Sequence, residues 1–518
     1  MKHGTNLIRF GCTLALATGV LATHTAASAE TQRLSREALR DKIRGGWAGQ
    51  MIGVAYGAPT EFKSNGKIGE WELAWKPGML ENTLHQDDLY VEMTFAKVMD
   101  DLGLGATCAR YGEAFKNSKY DLWHANAGAR RVLNQGIKAP LSGHPKYNAH
   151  ANDIDFQIEA DFIGLMCPGL PRESNKYCDR VGRVMNYGDG LYGGMFVCGM
   201  YAAAFFESDP RKVVEAGLAC IPRKSEYGLL IRDLLDWSAS HPNDWRKVWQ
   251  MVEDKWDRDD PCPDGALAPF NIDAKLNGAY IAFGLLFGGG DFEKTMEIST
   301  RCGQDSDCNP SSAAGVLGVM LGYERIPAQF KTEMPTLENR KFDFTDYSFN
   351  DIVKSTEARA LQVIRETGGK VTDAEVIVKT QKPKAPRLEQ WNPGVPEKRL
   401  KAGDAAFSYR GQWATDRDAR VSTQAGNEVV FTFHGVAVAL QGNLGQDGGR
   451  AEVYLDGKRV GVADAYIVER TWDNVLWHIY GLKSGEHRVK LVTLDAADSR
   501  SKGKRVTLSG AVVYRAVQ

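Results

Sequence analysis

Two kinds of hydrophobic pattern divide the chain. Up to about residue 378, apolar residues recur at steps of three or four, which is the spacing of one helix face. Beyond residue 401 they alternate with polar residues in short runs, as in strands with one buried face. Residues 379–401 between them carry four prolines among charged residues and are interpreted as a linker. We therefore predict an all-α domain at residues 30–378 and an all-β domain at residues 402–518.

Two acidic clusters each precede a segment with helical spacing. Gln86-Asp87-Asp88 comes before a helix that carries Val91, Phe95, Val98 and Leu102 on one face. Asp305-Ser306-Asp307-Cys308 comes before a second helix, for which Asn309 is the expected N-cap and Pro310 the first residue. The second helix is rich in small residues and is expected to be buried.

The four aspartates could converge at the ends of these two helices. Helix capping alone would explain one aspartate per helix, but not two adjacent pairs. Four ionised carboxylates within a few ångströms repel one another, so such a cluster needs a shifted pKa or a hard metal ion. Asp87, Asp88, Asp305 and Asp307 are therefore candidate metal ligands.

Two further segments offer candidate site residues. Asp155 and Glu159 are four residues apart, on one face if the segment is helical, and apolar neighbours suggest partial burial. This is either a solvated acidic face or a place for a catalytic carboxylate. The glycine-rich stretch 186–194 could let the backbone approach a ligand at Gly190, with Tyr187 and Tyr192 stacking on a sugar ring; an ordinary turn is the alternative.

These motifs resemble those of the ADP-ribosylglycohydrolases, which include the eye-lens J crystallins. The likeness runs in order from about Arg44 to Pro327: an opening glycine-rich helix followed by Glu61, then Gln86-Asp87-Asp88, then Asp305-Ser306-Asp307-Cys308. The resemblance implies an all-α domain with two Mg²⁺ or Mn²⁺ ions that hydrolyses a glycosidic bond to ADP-ribose. It also implies that Glu61 positions or deprotonates the attacking water, and that Asp189 stands in a substrate loop where the family has an asparagine. Glu61, Asp88 and Asp155 form the predicted catalytic set.

The sequence departs from the family at the predicted metal site. Gln86 and Cys308 replace threonines that donate oxygen to the metals, and Val54 replaces an aspartate. Gln86 still offers a carbonyl oxygen, whereas a thiol is a poor ligand for Mg²⁺. Cys308 therefore either points away or marks the loss of one ion. We expect one or two divalent ions, Mg²⁺ or Mn²⁺, with Ca²⁺ possible.

Residues 1–29 are interpreted as a signal peptide, with Lys2 and Arg9 before an apolar run and Ala27-Ser28-Ala29 as the cleavage site. This predicts an exported protein, periplasmic or secreted, and favours a carbohydrate over an ADP-ribosylated substrate. The formal net charge of −1 gives no support for binding nucleic acid or an anionic membrane. Cysteine pairs Cys167–Cys178 and Cys302–Cys308 are conceivable disulfides.

The C-terminal pattern predicts strands at residues 429–433, 436–440, 451–455 and 488–492, with a hairpin turn at Asp456-Gly457. It resembles the galactose-binding-like jelly-roll β-sandwiches appended to secreted glycosidases. Trp413, Trp472 and Trp477 could be platforms for a sugar or could belong to the core.

Two functional hypotheses follow. One is an exported, metal-dependent hydrolase of glycosidic bonds acting on a carbohydrate, or else on an ADP-ribosylated small molecule. The other is a non-catalytic sugar-binding protein on the same fold. Retention of Glu61 and all four aspartates favours the enzyme, because a scaffold has no physical need for clustered carboxylates.

Overall fold

Helices occupy most of the chain between residues 36 and 366 in the computed structural model, which describes residues 1, 30–257, 260–391 and 393–517. The predicted signal peptide, apart from Met1, lies outside the described residues. The helices are α1 (Arg36–Gly57), α2 (Asp87–Leu102), α3 (Cys108–Lys116), α4 (His124–Asn134), α5 (Asp155–Ile158), α6 (Asp161–Leu165), α7 (Pro171–Gly182), α8 (Asp189–Ala204), α9 (Pro210–Leu218), α10 (Glu226–Ser240), α11 (Trp245–Trp256), α12 (Ala274–Gly288), α13 (Phe292–Arg301), α14 (Cys308–Leu321), α15 (Met334–Leu337) and α16 (Phe349–Glu366). No described helix is both long enough and apolar enough to cross a bilayer.

The strands form antiparallel sheets. Strands β1 (Thr31–Ser35), β2 (Lys370–Val371) and β3 (Glu375–Lys379) make a small sheet beside the helices. The C-terminal strands are β4 (Val395–Lys401), β5 (Phe407–Arg410), β6 (Ala414–Asp416), β7 (Ala419–Ser422), β8 (Glu428–Gly435), β9 (Ala437–Leu444), β10 (Gly449–Leu455), β11 (Lys458–Asp464), β12 (Thr471–Ile479), β13 (Gly485–Ala497), β14 (Val506–Leu508) and β15 (Gly510–Arg515). The predicted fold class, a helical domain followed by an all-β region, is confirmed.

The C-terminal region has a core of its own between two larger sheets. One sheet has the order β11-β10-β13-β8-β5 and the other β12-β9-β15-β4, with β14-β7-β6 as a smaller third sheet. Phe431, Val453, Leu440 and Val513 are among the residues buried between the strands. All four predicted strand segments are present, and Asp456-Gly457 joins β10 to β11 with both residues at positive φ, 51° and 80°.

The predicted linker is too long at its C-terminal end. Its last residues form β4, which pairs with β15 as an edge strand of the sheet. Pro396 lies within this strand, as an edge position permits. Residues 381–391 of the segment lie against the helical domain, where Glu389 forms an ion pair of 2.7 Å with Arg183.

Helices α1 and α14 pack unusually closely along a glycine stripe. Gly45, Gly49, Gly53 and Gly57 are spaced four apart, and a Cβ on each would lie only 2.1–2.2 Å from a carbonyl oxygen of the facing segment: those of Gly318, Ala314, Pro310 and Ser306. Hydrogen is therefore the only side chain that fits at these positions. Small residues predicted a buried α14, and this is confirmed, since all its residues except Leu321 are buried.

The start of α14 differs from the prediction. Asp307 is the N-cap, and its carboxylate accepts a hydrogen bond of 3.0 Å from the Cys308 amide. Asn309 and Pro310 are the second and third residues of the helix. Aspartate is as good an N-cap as asparagine, so the local pattern could not separate the two.

The predicted disulfides are wrong. All eight described cysteines are free thiols, including Cys167, Cys178, Cys302 and Cys308. Cys308 instead donates a hydrogen bond to the Asp88 carboxylate at 3.2 Å. Short separation in sequence suggested these pairs, but it does not establish where side chains point.

The helical domain and the β region contact each other through several backbone carbonyls. Arg131 on α4 donates to the carbonyls of Val475 and Leu476 on β12. Arg399 on β4 donates to Ala266 O at 3.1 Å, and the Tyr514 hydroxyl on β15 donates to Pro261 O at 3.0 Å. The β region thus holds the loop at residues 260–271 of the helical domain.

Substitution of Gly53 tests the helix contact. Alanine is the better helix former by about 1 kcal/mol, yet we expect Gly53→Ala to lower the free energy of unfolding by about 1–3 kcal/mol because its Cβ would overlap Pro310 O. Urea unfolding followed by circular dichroism measures this. Gly403→Ala is the control, since a Cβ there meets no atom within 4 Å; equal stability of the two variants would contradict the packing argument.

Candidate functional site

The glycine stripe ends at the point where two loops meet. Thr60, just after α1, shares a hydrogen bond of 2.9 Å between its hydroxyl and that of Ser306. Two backbone bonds of 3.0 Å, Phe62 N to Gln304 O and Gln304 N to Ser64 O, join the same loops. Glu61 is therefore held beside the second acidic cluster, as the family resemblance implied.

A strained turn orients the second cluster. Gly303 has φ 91° and Gln304, a non-glycine residue, has φ 54°. The Gln304 side chain is fully buried: its Oε1 accepts from Asn271 N at 2.8 Å and its Nε2 donates to Pro269 O at 2.9 Å. These bonds offset the cost of the strained backbone and hold Asp305 in place.

The first cluster comes from the start of α2. Asp87 and Asp88 are the first two residues of this helix, and Asp88 is buried. The thiol bond from Cys308 to Asp88 joins α14 to α2, and carboxylate and thiol atoms of Asp305, Asp307 and Cys308 lie within 4.8 Å of one another. Gln86 is the N-cap of α2 but its side chain makes no capping bond. The two acidic clusters therefore lie together, and the role of the four aspartates as metal ligands stays a prediction.

Several carboxylate oxygens in this region are buried without a partner among the described residues. They are Asp88 Oδ1, Glu92 Oε1, Glu159 Oε2, Asp161 Oδ1 and Asp305 Oδ1. Burial is the main cause of a raised pKa at each of these groups, to about 8 for Asp305 and about 7 for Asp161. Burial and the neighbouring Asp307 and Asp87 carboxylates also raise the pKa of Glu61, which lies at the exposed rim.

Unpaired buried oxygens need either protons or a cation. Asp88 and Asp305 each have one such oxygen, and Asp87 and Asp307 add two more carboxylates to the cluster. A set of carboxylate oxygens fits a hard divalent ion. Cys308 does not fit as a ligand for such an ion, and its thiol is engaged as a donor to Asp88.

Glu92 and Asp161 were not singled out from the sequence. Glu92 lies four residues after Asp88 on α2, and its Oε2 accepts from the Phe162 amide at 2.9 Å. Asp161 begins α6, and its Oδ2 accepts from the Ser312 hydroxyl at 3.4 Å. The spacing of Glu92 from Asp88 was the available signal, but a glutamate at that spacing is equally common on exposed faces.

Asp155 and Glu159 are both buried, so the alternative of a solvated acidic face is wrong. The segment is not one helix: α5 ends at Ile158. Both Asp155 oxygens accept backbone N–H groups at the start of α4, from Ala125 at 3.1 Å and Asn126 at 2.9 Å. Burial still raises the pKa of Asp155 to about 6. Asp155 therefore caps α4. Both of its carboxylate oxygens are engaged in this contact, which any catalytic role of Asp155 would have to accommodate.

A comparison with protein families bears on this arrangement. The model of the family described as ADP-ribosylglycohydrolase matches residues 35–360, which is more than half of the chain. The chain belongs to the ADP-ribosylglycohydrolase family.

Relatives of known name cover parts of the chain. An "A type blood N-acetyl-alpha-D-galactosamine deacetylase" from Flavonifractor plautii is 31% identical over 96 residues, 17% of this chain, and the match spans only 12% of that protein's length. A structure described as "ADP-ribosylglycohydrolase-related protein complex" is 14% identical, with a TM-score of 0.41. The match covers 62% of this chain and 98% of the chain in that structure. A two-domain esterase active on acetylated mannans is 15% identical, with a TM-score of 0.21. The match covers 36% of this chain and 52% of the esterase chain.

In this family member, the glycine-rich stretch 186–194 is not an open loop. Tyr192 is buried, and its hydroxyl accepts a bond of 2.7 Å from Glu389 N in the linker, so its ring is not available for stacking. Gly190 packs tightly, because a Cβ there would lie 2.4 Å from Asn186 Nδ2. Asp189 begins α8 and accepts from Tyr227 N at 3.2 Å, while Tyr187 is half-buried against His144, with ring centres 4.9 Å apart.

A cavity of about 700 Å³ lies between the helical domain and the β region. Its lining includes Trp391, Trp477, Tyr147, Tyr480, His478 and His150. Of the tryptophans predicted as sugar platforms, only Trp477 lines it. Trp413 packs on the β core and donates to Glu428 O at 3.1 Å, whereas Trp472 is exposed with Arg417 4.8 Å above its ring.

The buried acids predict a specific dependence of stability on pH. Asp305 and Asp161 have folded pKa values above their unfolded values, so the folded state retains protons that the unfolded state has released. The free energy of unfolding of chelator-treated protein should therefore fall as pH rises from about 4 to 8. Mg²⁺ or Mn²⁺ needs ionised carboxylates, so its stabilising effect should be greater at pH 8 than at pH 5.

Thermal unfolding with chelator or with each cation measures this effect. At about 100 times its Kd the cation should add about 2.7 kcal/mol, a rise in Tm of several degrees. Asp305→Asn should reduce both the pH slope and the cation effect. A cation effect of equal size in that variant would show that the ion binds elsewhere.

Proposed function

We propose that this protein is a divalent-metal-dependent hydrolase of glycosidic bonds, acting on a carbohydrate. The observation that carries the proposal is the convergence of Asp87, Asp88, Asp305 and Asp307, with unpartnered buried oxygens, beside a glutamate at the exposed rim. Keeping these carboxylates together costs stability in a protein without a cation, which favours a functional reason for the cluster.

The four aspartates would hold the metal, with the free amide oxygen of Gln86 as a further donor. The family is generally dependent on a divalent metal, and a bound ion here would supply Lewis-acid chemistry and a binding point for sugar hydroxyls. Cys308 would then serve the site indirectly, through its contact with Asp88.

Glu61 is the proposed general base. It is the exposed member of the set and follows Thr60, whose bond to Ser306 fixes the loop position. Its place at the rim lets the carboxylate accept a proton from a water that approaches the substrate from solvent. Asp88 would help to orient the substrate. The Cys308 thiol fixes one of its carboxylate oxygens, and the other oxygen is free to interact with the metal or the substrate.

Three observations support a carbohydrate as substrate. The cavity between the domains carries the tryptophan and tyrosine rings typical of sugar sites. A relative, over a short stretch, is named as a deacetylase of an amino sugar. The predicted signal peptide at residues 1–29 supports export to a periplasmic or extracellular location, where polysaccharides are found.

An ADP-ribosylated small molecule is the second candidate, and the family model itself favours it. The two candidates differ in the glycosyl group that hydrolysis would transfer to water: a sugar in the first and ADP-ribose in the second. Purified protein incubated with oligosaccharides, aryl glycosides and ADP-ribosyl-arginine, each with and without chelator, separates them. Chelator-sensitive release of a sugar supports the first candidate, and release of ADP-ribose the second; binding without turnover of any of these would contradict both and favour the sugar-binding protein.

Two variants test the assigned roles. Asp305→Asn should abolish turnover and cation-dependent stabilisation together, because it removes a ligand. Glu61→Gln should lower kcat by about 10²–10⁴ while keeping the cation effect on Tm, because it removes only the base. Asp346→Asn, at a side chain 76% exposed, is the matched control and should be fully active. Full activity of Glu61→Gln would remove this residue from the mechanism.

A further inference from the structure

A second group of metal-binding side chains lies outside the acidic cluster. It consists of two triads that share His150: His124, His150 and Asp153, and His150, Cys262 and Asp264. Asp153 Oδ2 is at its centre, 2.8 Å from His150 Nδ1, 3.3 Å from Cys262 Sγ and 3.9 Å from His124 Nδ1. Cys262 Sγ is 3.5 Å from His150 Nδ1, and His124 Nδ1 is 3.5 Å from Asp264 Oδ2.

These residues come from three separate parts of the chain. His124 is the first residue of α4 and has a strained backbone, with φ 41°. His150 and Asp153 lie in one turn, closed by a bond of 3.0 Å from Asp153 N to His150 O. Cys262 and Asp264 belong to the loop that Tyr514 and Arg399 of the β region hold in place. Imidazole, thiol and carboxylate groups therefore converge here, and His124 also lies close enough to Glu61 and Asp87 to oppose the rise in their pKa values.

The separations match a tetrahedral metal site. Zinc binds nitrogen and oxygen at about 2.0–2.2 Å and sulfur at about 2.3 Å, which places ligand atoms about 3.3–3.8 Å apart. Of the five separations given above, three lie between 3.3 and 3.5 Å, and the one between His124 and Asp153 is slightly longer at 3.9 Å. The shortest, between His150 and Asp153, is a hydrogen bond that a metal would replace.

We propose that His124, His150, Asp153 and Cys262 bind a transition metal ion of the zinc class, with Asp264 as an additional carboxylate donor. The mixed nitrogen, sulfur and oxygen set selects this class against Mg²⁺ and Ca²⁺, which the acidic cluster suits. The ion would replace the thiol proton of Cys262, which leaves to solvent. His150 lines the cavity between the domains, which supplies a route of access.

A cysteine nucleophile is the competing interpretation. Cys262 is buried and faces Asp153, and burial together with the neighbouring Asp153, Asp260 and Asp264 carboxylates raises the pKa of its thiol well above the usual value. A catalytic cysteine needs the opposite, an exposed thiol with a lowered pKa. Metal binding agrees with this environment better, because the ion itself compensates the negative charges.

The metal would stabilise the wall of the hydrolytic site. Cys262 belongs to one apolar cluster with Ile154, Ile158, Ile272 and Cys308, so this cluster reaches the residue that follows Asp307. Further along the same loop, Asn271 and Pro269 hold the strained Gln304. Fixing Cys262 and Asp264 would therefore fix the loop that orients Asp305.

Metal content and Co²⁺ spectra of the full chain test the proposal. Protein loaded with Zn²⁺ and dialysed should retain a tightly bound ion, and Co²⁺ in its place should show a sulfur-to-metal charge-transfer band. Cys262→Ser and His150→Gln should lose the band and the ion. Asp305→Asn should keep both, and so should Cys220→Ser, a buried thiol hydrogen-bonded to Ala216 O that serves as the matched control.

A band that persists in Cys262→Ser, or zinc that is lost only from Asp305→Asn, would overturn the proposal. X-ray absorption of the unmodified zinc-loaded protein guards against variants that fail to fold. One sulfur at about 2.3 Å together with nitrogen or oxygen ligands is expected. A shell without sulfur would overturn the assignment of Cys262.

Discussion

The contact between α1 and α14 determines where the second acidic cluster of this protein lies. Four glycines of α1, one per turn, let its backbone meet the carbonyl oxygens of the facing segment without any side chain between them. Because the stripe continues to Gly57 and Ser306, the end of one helix and the start of the other are placed at the same point. The Thr60–Ser306 bond then closes the corner. A wider helix separation would leave Glu61 and the second acidic cluster apart.

The buried acids show how far the fold departs from what stability alone would favour. Asp88, Glu92, Asp161 and Asp305 are buried in the helical domain, and each has an oxygen without a partner among the described residues. Burial favours the protonated, neutral form of these carboxyl groups, whereas a bound cation would favour the ionised form. Natural proteins break the rules of packing mainly where function requires it. The apolar core around α1, α8, α12 and α14 supplies the stability that offsets this cost.

Local patterns predicted the elements well and the tertiary contacts poorly. The helical spacing after Asp88, the two aspartate pairs, the β strands and the Asp456-Gly457 turn were all visible in the sequence, because each depends on neighbouring residues. The burial of Glu92 and Asp161, the capping of α4 by Asp155 and the covering of Tyr192 by the linker were not, because each depends on a segment distant in sequence. The free cysteines follow the same logic: nearness along the chain did not bring their sulfur atoms together.

The β region does more than follow the helical domain along the chain. Tyr514 and Arg399 hold the loop at residues 260–271, whose far end supports Gln304 and hence the acidic cluster. Accessory modules of enzymes are often exchanged by recombination, with each domain keeping its own history. Here the two parts share hydrogen bonds at the loop that forms one wall of the candidate site. The helical domain and the β region should accordingly be inherited together. A chimaeric chain in which an unrelated β domain replaces this one would lose the hydrogen bonds that support the wall.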